Sequence, residues 1–200
     1  MRVSRIQAEQ NRQTVIDVAS RLFREHGFDG IGLKDLMKGA GLTQGAFYKQ
    51  FASKDDLAAQ ASKRALESAS RRWSAAAEAN PKDPVGAVVK FYLSMGHREE
   101  KMDGCPVVAL GSDAARQSVD VKASFEAGIQ NYLQMICRWL GETDEDSTDK
   151  AKTILSTMVG ALVLSRAVNN KRLSKRFLQA AAKSVLMSLS ASDAKQGSLQ

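Results

Sequence analysis

Apolar side chains recur along most of the chain at intervals of three and four residues, which is the spacing of one face of an α-helix. The clearest series lies between residues 121 and 140 and consists of Val121, Phe125, Ile129, Tyr132, Leu133, Ile136 and Leu140. No segment alternates apolar and polar residues over the length of a strand. The pattern therefore predicts an all-α protein.

Start and stop signals divide this pattern into separate helices. Ser4 and Gln7 can form a capping box at the first helix, and Gly27 can end that helix in the left-handed conformation. Ser53 with Asp56 can open a long helix in the same way as Ser4. The helices expected from such signals cover residues 5–26, 33–40, 44–51, 54–79, 85–101, 106–117, 121–140, 148–168 and 176–189.

Composition narrows the class of protein only slightly. The chain has 200 residues, of which 44% are hydrophobic and 26% are charged, as is usual for a soluble globular protein. Its net charge of +7 permits a polyanionic partner. Residues 1–60 carry nine basic and seven acidic side chains, so the positive charge is not concentrated at the N-terminus.

Targeting signals and cysteine content favour the cytoplasm. The first twelve residues are polar and charged, so we expect no signal peptide. The longest apolar run, Met158 to Leu164, is too short to span a bilayer, so we expect no membrane association. Two cysteines without a secretory signal indicate thiols in a reducing compartment.

The segment Ala40-Gly41-Leu42-Thr43 joins two short predicted helices and fits the turn of a helix-turn-helix. Gly41 tolerates a positive φ, Leu42 can be buried, and Thr43 can cap the second helix. In this motif the second helix lies in the major groove of DNA and presents its first residues to base edges. The residues at those positions are Gln44, Gly45, Ala46 and Lys49.

The run GLKDLMKGAGLTQGAFYKQFASKDDL, residues 32–57, resembles the DNA-binding signature of the TetR family of transcriptional regulators. The matching positions are Gly41, Thr43, Gly45, Phe47, Tyr48, Phe51, Ser53, Lys54 and Leu57. The resemblance is specific over about Gln7 to Leu57 and architectural beyond it. It implies an all-helical homodimer with an N-terminal three-helix DNA-binding domain and a C-terminal helical domain for ligand binding and dimerisation. The expected bounds are 1–52 and 53–192, followed by a polar tail over 193–200.

The resemblance also implies roles for single residues in binding a double-stranded DNA operator. Those expected to contact phosphates are Thr43, Tyr48 and Lys54. Those expected to face the bases are Gln44, Gly45 and Lys49. Two positions depart from the family pattern: Gly32 stands where a threonine usually caps the second helix, and Gln50 replaces the usual histidine.

Several of these positions have a simpler interpretation. Phe47 and Phe51 are expected to be core residues rather than contacts. Tyr48 could be only a surface aromatic, and Lys54 only a solvated lysine. A lysine at a helix start is opposed by the helix dipole, however, and a phosphate would compensate for that.

The resemblance implies a C-terminal site for a small-molecule or electrophile inducer. Candidate lining residues are Phe91, Tyr92, Met95, His97, Phe125, Tyr132 and Met135. Aromatic and methionine residues at helical spacing are more often ordinary core, so this alternative stays open. Small residues around Gly160 and Ala181 fit a dimer interface of close-packed helices, or else an intramolecular core.

Cys105 precedes Pro106, which favours the N-cap position of a helix, where a thiolate is stabilised. The segment 103–115 resembles the NemR-like branch of the family, which implies that Cys105 senses electrophiles or oxidants. The alternative is a small buried capping residue. Cys137 lies in an apolar helix and is expected to be inert core.

Two rival classes are a helical enzyme and a protein-binding adaptor. The two histidines lie far apart and the two cysteines lack ligand spacing, so we expect no metal and no cofactor. No nucleophile–base arrangement is visible, so no catalytic residue is proposed and an enzyme is disfavoured. A basic cluster around residues 166–176 is expected to be a solvated connector.

Overall fold

The computed structural model describes residues 4–141 and 145–197, with side chains described for 4–141 and 148–190. These residues form helices and contain no strand, which confirms the predicted all-α class. The helices are α1 (Arg5–His26), α2 (Leu33–Gly39), α3 (Gln44–Phe47), α4 (Lys54–Glu78), α5 (Pro84–Tyr92), α6 (Met95–Glu99), α7 (Pro106–Ala114), α8 (Val119–Leu140), α9 (Glu145–Ala167) and α10 (Lys171–Gly197). In this part of the chain no helix is both long and apolar enough to cross a membrane.

The chain divides into two compact units that do not follow the sequence order. The first unit contains residues up to 69 together with 101–129, and the second contains 70–100 together with residues from 130 onward. The long helices α4 and α8 each contribute residues to both units. The boundary expected at residues 52 and 53 stays a prediction.

Helix α1 begins and ends where its capping residues predict. The Ser4 hydroxyl accepts a hydrogen bond from the Gln7 amide at 3.1 Å. At the other end Gly27 has a φ of 78°, and its amide donates to the Phe23 carbonyl. The rings of Phe23 and Phe28 then meet with their centroids 5.2 Å apart, so the chain folds back after the helix as expected.

The core of the second unit is built around Trp73, which the sequence analysis did not single out. Its ring stacks on Tyr132 at a centroid distance of 4.6 Å and meets Tyr92 edge-on at 5.6 Å. All three side chains are buried. Such aromatic contacts add to the energy of burial and fix the helices that carry them.

Several helix bounds were predicted wrongly, two of them because polar caps were overlooked. The helix expected over 85–101 is divided into α5 and α6, since Ser94 accepts a hydrogen bond from the His97 amide and starts a new helix. The last helix begins at Lys171 rather than Arg176, because the Asn170 side chain accepts from the Leu173 amide at 2.9 Å. Asn and Ser are favoured caps, so both signals were present in the sequence.

Candidate DNA-binding site

The turn between α2 and α3 has the backbone of a Schellman motif. The Leu42 amide donates to the Met37 carbonyl at 2.9 Å, and the Gly41 amide donates to the Lys38 carbonyl at 3.0 Å. Gly41 has a φ of 70°, a conformation that costs glycine little. The predicted role of Gly41 is therefore confirmed, and Leu42 is half-buried beside it.

Helix α3 is held by Phe47, whose side chain is fully buried. Its ring stacks on Phe51 at 5.4 Å and meets the Tyr48 ring edge-on at 5.3 Å. Phe51 is buried as well, so both phenylalanines are core residues as expected. The helix ends at Phe47, whereas the sequence predicted that it would continue to about Phe51; residues 48–50 form turns instead.

Most of the residues predicted to meet DNA lie in or beside α3 and are exposed. Those exposed to solvent are Thr43, Gln44, Gly45, Tyr48 and Lys49, while Lys54 is half-buried. Thr43 occupies the N-cap position in an extended conformation, but its side chain makes no capping hydrogen bond. The hydroxyl is therefore not committed to the helix and is available to an outside acceptor such as a phosphate.

Tyr48 is 68% exposed, which is unusual for so large a ring. Its edge-on contact with Phe47 positions the ring, most of which remains accessible to solvent. At Gly45, a Cβ atom would meet no other atom within 4 Å. The fold of the protomer thus does not require glycine at that position, so any requirement must come from a partner.

Lys54 is the first residue of α4, as predicted from the preceding serine. The Ser53 hydroxyl accepts from the Asp56 amide at 3.0 Å, and the Asp56 carboxylate accepts from the Ala52 amide at 3.0 Å. Lys54 forms no ion pair within the described residues. A lysine held at a helix start without a carboxylate partner is suited to bind a phosphate.

The two departures from the family pattern have different structural consequences. Gly32 is the N-cap residue of α2 and contributes no side-chain hydrogen bond. The buried Oε1 atom of Gln50 has no hydrogen-bond partner within the described structure. Arg12, which the sequence analysis missed, lies over the Phe51 ring at 5.2 Å and donates to Gln60, so it braces the motif against α4.

Of the residues predicted to line an inducer pocket, several are packed together as core. The rings of Phe91 and His97 stack at a centroid distance of 5.4 Å, and Tyr92 lies 4.7 Å from His97. Tyr132 joins Tyr92 through Trp73. Met95 is half-buried in the same unit, whereas Phe125 is buried in the first unit and is not part of this cluster.

The surroundings of the buried His97 ring favour its neutral form. Its Nδ1 atom lies 2.7 Å from the Tyr92 carbonyl oxygen, which can only accept, so Nδ1 carries the proton. Burial lowers the pKa of His97 below its ordinary value, and the nearby guanidinium groups of Arg166 and Arg72 lower it further against the hydrogen bond to Tyr92 and the charge of Glu100.

Arg166, which belongs to the basic cluster, has a structural role. It donates to the carbonyl groups of His97, Arg98 and Glu100 at 2.8–3.0 Å and thereby satisfies the end of α6. Arg98 in turn donates to the Ser165 carbonyl. These bonds fasten α6 to α9 inside the second unit.

Cys105 occupies the N-cap position of α7 with Pro106 as the first helical residue, as predicted. Its side chain is only 3% exposed, and it lies in the same compact unit as the helix-turn-helix. Cys137, which was expected to be buried, is partly exposed instead. In the folded protein Cys137 is therefore the more accessible thiol.

The segment before Cys105 is tied to α1 by a buried arginine that sequence reasoning missed. Arg24 donates to the Gly104 carbonyl at 2.9 Å and to the Ser20 carbonyl at 2.9 Å. Its side chain is 3% exposed, and its Nη2 atom lies 4.0 Å from Asp103. On the surface, Arg21 pairs with the same carboxylate at 3.1 Å.

Together the fold and the exposed second helix define a helix-turn-helix transcriptional regulator. Residues 15–61 match the profile of bacterial regulatory proteins of the tetR family. Residues 81–184, just over half of the chain, match the LmrA/YxaF-like transcriptional regulator C-terminal domain. The chain belongs to the TetR family of DNA-binding transcriptional regulators.

Individual relatives are similar over most of their length but at low identity. The regulator LmrA of Bacillus subtilis is 24% identical over 166 residues, which cover 80% of this chain and 88% of LmrA. The repressor NemR of Escherichia coli is 24% identical over 132 residues, 64% of this chain and 66% of NemR.

Solved structures share the fold. The reduced form of E. coli NemR superposes with a TM-score of 0.75 at 20% identity, covering 88% of this chain and 96% of NemR. A TetR regulator from Chloroflexus aurantiacus gives a TM-score of 0.76 at 23% identity over 90% of this chain and 96% of its own. At these identities the likeness establishes a common architecture rather than a common ligand.

Proposed function

We propose that the protein is a homodimeric repressor that binds a palindromic operator and leaves it when an inducer binds or when Cys105 is modified. The observation that carries the proposal is the exposed face of the helix-turn-helix, on which the polar ends of Thr43, Gln44 and Tyr48 have no hydrogen-bond partner among the described residues. Two such faces, about 34–36 Å apart in a dimer, fit successive major grooves. The relatives that match it are transcriptional regulators rather than enzymes.

The DNA-binding roles are tested with Lys54→Ala and Gln44→Ala in salt titrations on a selected palindromic duplex and a scrambled one. Lys54→Ala should weaken binding to both duplexes and lower the salt slope by about 1 per affected half-site, because one phosphate contact is lost. Gln44→Ala should instead relax preference at one base position, costing on the order of 1–3 kcal/mol of discrimination. Unchanged affinity and slope for Lys54→Ala would contradict the phosphate assignment.

The dimer is supported by apolar surface on the last two long helices. Exposed large side chains on α9 and α10 are Val163, Leu164, Leu173 and Met187. At Gly160 of α9, a Cβ atom would meet nothing within 4 Å in the protomer, although the residue is half-buried. A second copy packed against these helices in an isologous four-helix interface would cover this surface.

Gly160→Leu should weaken the dimer about tenfold or more, because a leucine in a close helix–helix contact forces the subunits apart. Sedimentation velocity across a dilution series measures the effect. Ala75→Leu, which adds the same side chain at an exposed position of α4, is the control and should dimerise normally. If Gly160→Leu dimerises as tightly as the wild type, this face is not the interface.

A cysteine trigger is supported by the position of Cys105 rather than by its exposure. The residue begins α7, which packs against α1, and the adjacent Gly104 is bound by Arg24 of α1. An added group on the buried sulfur cannot be accommodated without moving this segment away from α1. Because α1 belongs to the DNA-binding unit, that movement would disturb the helix-turn-helix.

We expect a thiol-directed electrophile to modify Cys137 first and Cys105 more slowly, since a buried thiol reacts only when its segment opens. Operator release should follow the Cys105 reaction, and the two rates are separated by mass spectrometry and fluorescence anisotropy. Release should persist in Cys137→Ser and disappear in Cys105→Ser. If Cys105→Ser still releases DNA at the wild-type rate, Cys105 is not the trigger and serves only as a helix cap.

A further inference from the structure

The second unit contains a partly open cavity of about 440 Å³ at the ends of two long helices. The side chains that line it come from the end of α4, the connector before α5 and the end of α8: Ser74, Ala77, Glu78, Pro81, Pro84, Met135, Arg138 and Trp139. Of the residues that the sequence suggested for an inducer pocket, it contains Met135 alone. Its volume lies within the usual range of sites for small organic ligands.

Part of the wall of this cavity is apolar and stiff. Ala77 and Met135 are buried at 4% and 8% exposure and form its apolar inner wall. Pro81 and Pro84 have fixed φ angles, so the connector that they border cannot easily collapse inward. Trp139 lines the cavity while remaining half-exposed, which leaves part of a large aromatic ring open to a ligand.

The two charged side chains at the cavity have opposite signs. Glu78 and Arg138 are both exposed, and neither forms an ion pair within the described residues. A ligand carrying a full charge of either sign would meet one favourable and one unfavourable group. An uncharged ligand avoids this conflict and can still form hydrogen bonds with both groups or with the Ser74 hydroxyl.

From these features we infer that the cavity binds an uncharged, flat aromatic molecule stacked against Trp139. The inference that this cavity is the effector site of a repressor rests on the proposed function, whereas binding of the aromatic ligand does not require DNA. The ring of Trp139 and the sulfur of Met135 supply the contacts that favour an aromatic body. The polar groups at the cavity determine how the ligand is oriented, and they do not select for a charged ligand.

The test uses N-phenyl-1-naphthylamine, an uncharged fluorescent aromatic probe, and its sulfonated analogue 8-anilinonaphthalene-1-sulfonate. The chain has two tryptophans, so Trp73→Phe leaves Trp139 as the sole tryptophan donor for energy transfer to the bound probe. We expect the uncharged probe to bind in this background and to accept energy from Trp139. Trp139→Ala should weaken its binding about tenfold, as expected when an aromatic stacking contact is lost. The sulfonated probe should bind more weakly than the uncharged probe.

A cavity-filling pair separates this site from general apolar binding. Ser74→Leu places a larger side chain in the cavity and should reduce binding of the uncharged probe, whereas Ala75→Leu on the neighbouring exposed position should not. Equal binding by Trp139→Ala, Ser74→Leu and wild type, or absent binding to wild type, overturns the inference. A parallel titration with operator DNA tells the two proposals apart. If the wild-type protein does not bind operator DNA, the proposed repressor function is contradicted, but the proposal of a ligand-binding cavity is not. Operator affinity unchanged by saturating probe shows a binding site without an effector role and overturns that part of the inference.

Discussion

Gly45→Leu should lower operator affinity by about a thousandfold, toward the level of non-specific binding, while leaving the protein folded. The prediction follows from the space around Gly45, both inside the protomer and at the surface. Inside the protomer a Cβ atom would meet nothing within 4 Å, so the fold tolerates a side chain. Outside it, Gly45 lies in the second helix of the helix-turn-helix, and an added isobutyl group would hold that helix away from the base edges.

Two measurements separate loss of contact from loss of structure. Fluorescence anisotropy with the selected duplex gives the affinity, and thermal unfolding gives Tm, which should not fall because leucine is a better helix former than glycine. Gly45→Ala adds a single methyl group and should cause a much smaller loss of affinity. A fully active Gly45→Leu variant would place the DNA on another face of the protein.

The fold class and most helix bounds could be predicted because they depend on local signals. Apolar spacing identified α1 and α8, the Ser53 cap marked the start of α4, and the positive-φ glycines Gly27 and Gly41 marked the ends of helices. Errors arose where a polar cap competed with a continuing apolar pattern. Ser94 divided one predicted helix, and Asn170 started another before its apolar face began.

The DNA-facing residues could be named in advance because the helix-turn-helix is contiguous in sequence. In the second unit the residues that pack together are not contiguous in sequence. Trp73 stacks between aromatic residues that are distant along the chain, and the cavity beside Trp139 draws on three separate segments. Spacing within one helix cannot reveal contacts of this kind, because they depend on which helices the fold brings together.

A buried charge is equally hard to foresee, and Arg24 is the case with the largest expected effect on stability. In the sequence it is one of several basic residues of α1, and nothing marks it as different from Arg21. The fold makes them opposites: the side chain of Arg24 is 3% exposed and that of Arg21 is 53% exposed, although both approach Asp103.

Arg24→Met should therefore reduce the free energy of unfolding by about 2–4 kcal/mol, because the buried Gly104 carbonyl loses its charged donor. Methionine keeps much of the apolar stem, so the loss reports the hydrogen bonds rather than the packing. Arg21→Met removes a solvent-exposed partner of Asp103 and should cost less than about 1 kcal/mol. Urea unfolding of the two variants provides the comparison. Equal losses would mean that the ion pair with Asp103, and not the link from Arg24 to Gly104, holds the segment before Cys105 against α1. If only Arg24→Met loses stability, the operator affinity of that variant should be measured at temperatures where it remains folded. That affinity would show whether the link from Arg24 to Gly104 transmits changes at Cys105 to the helix-turn-helix.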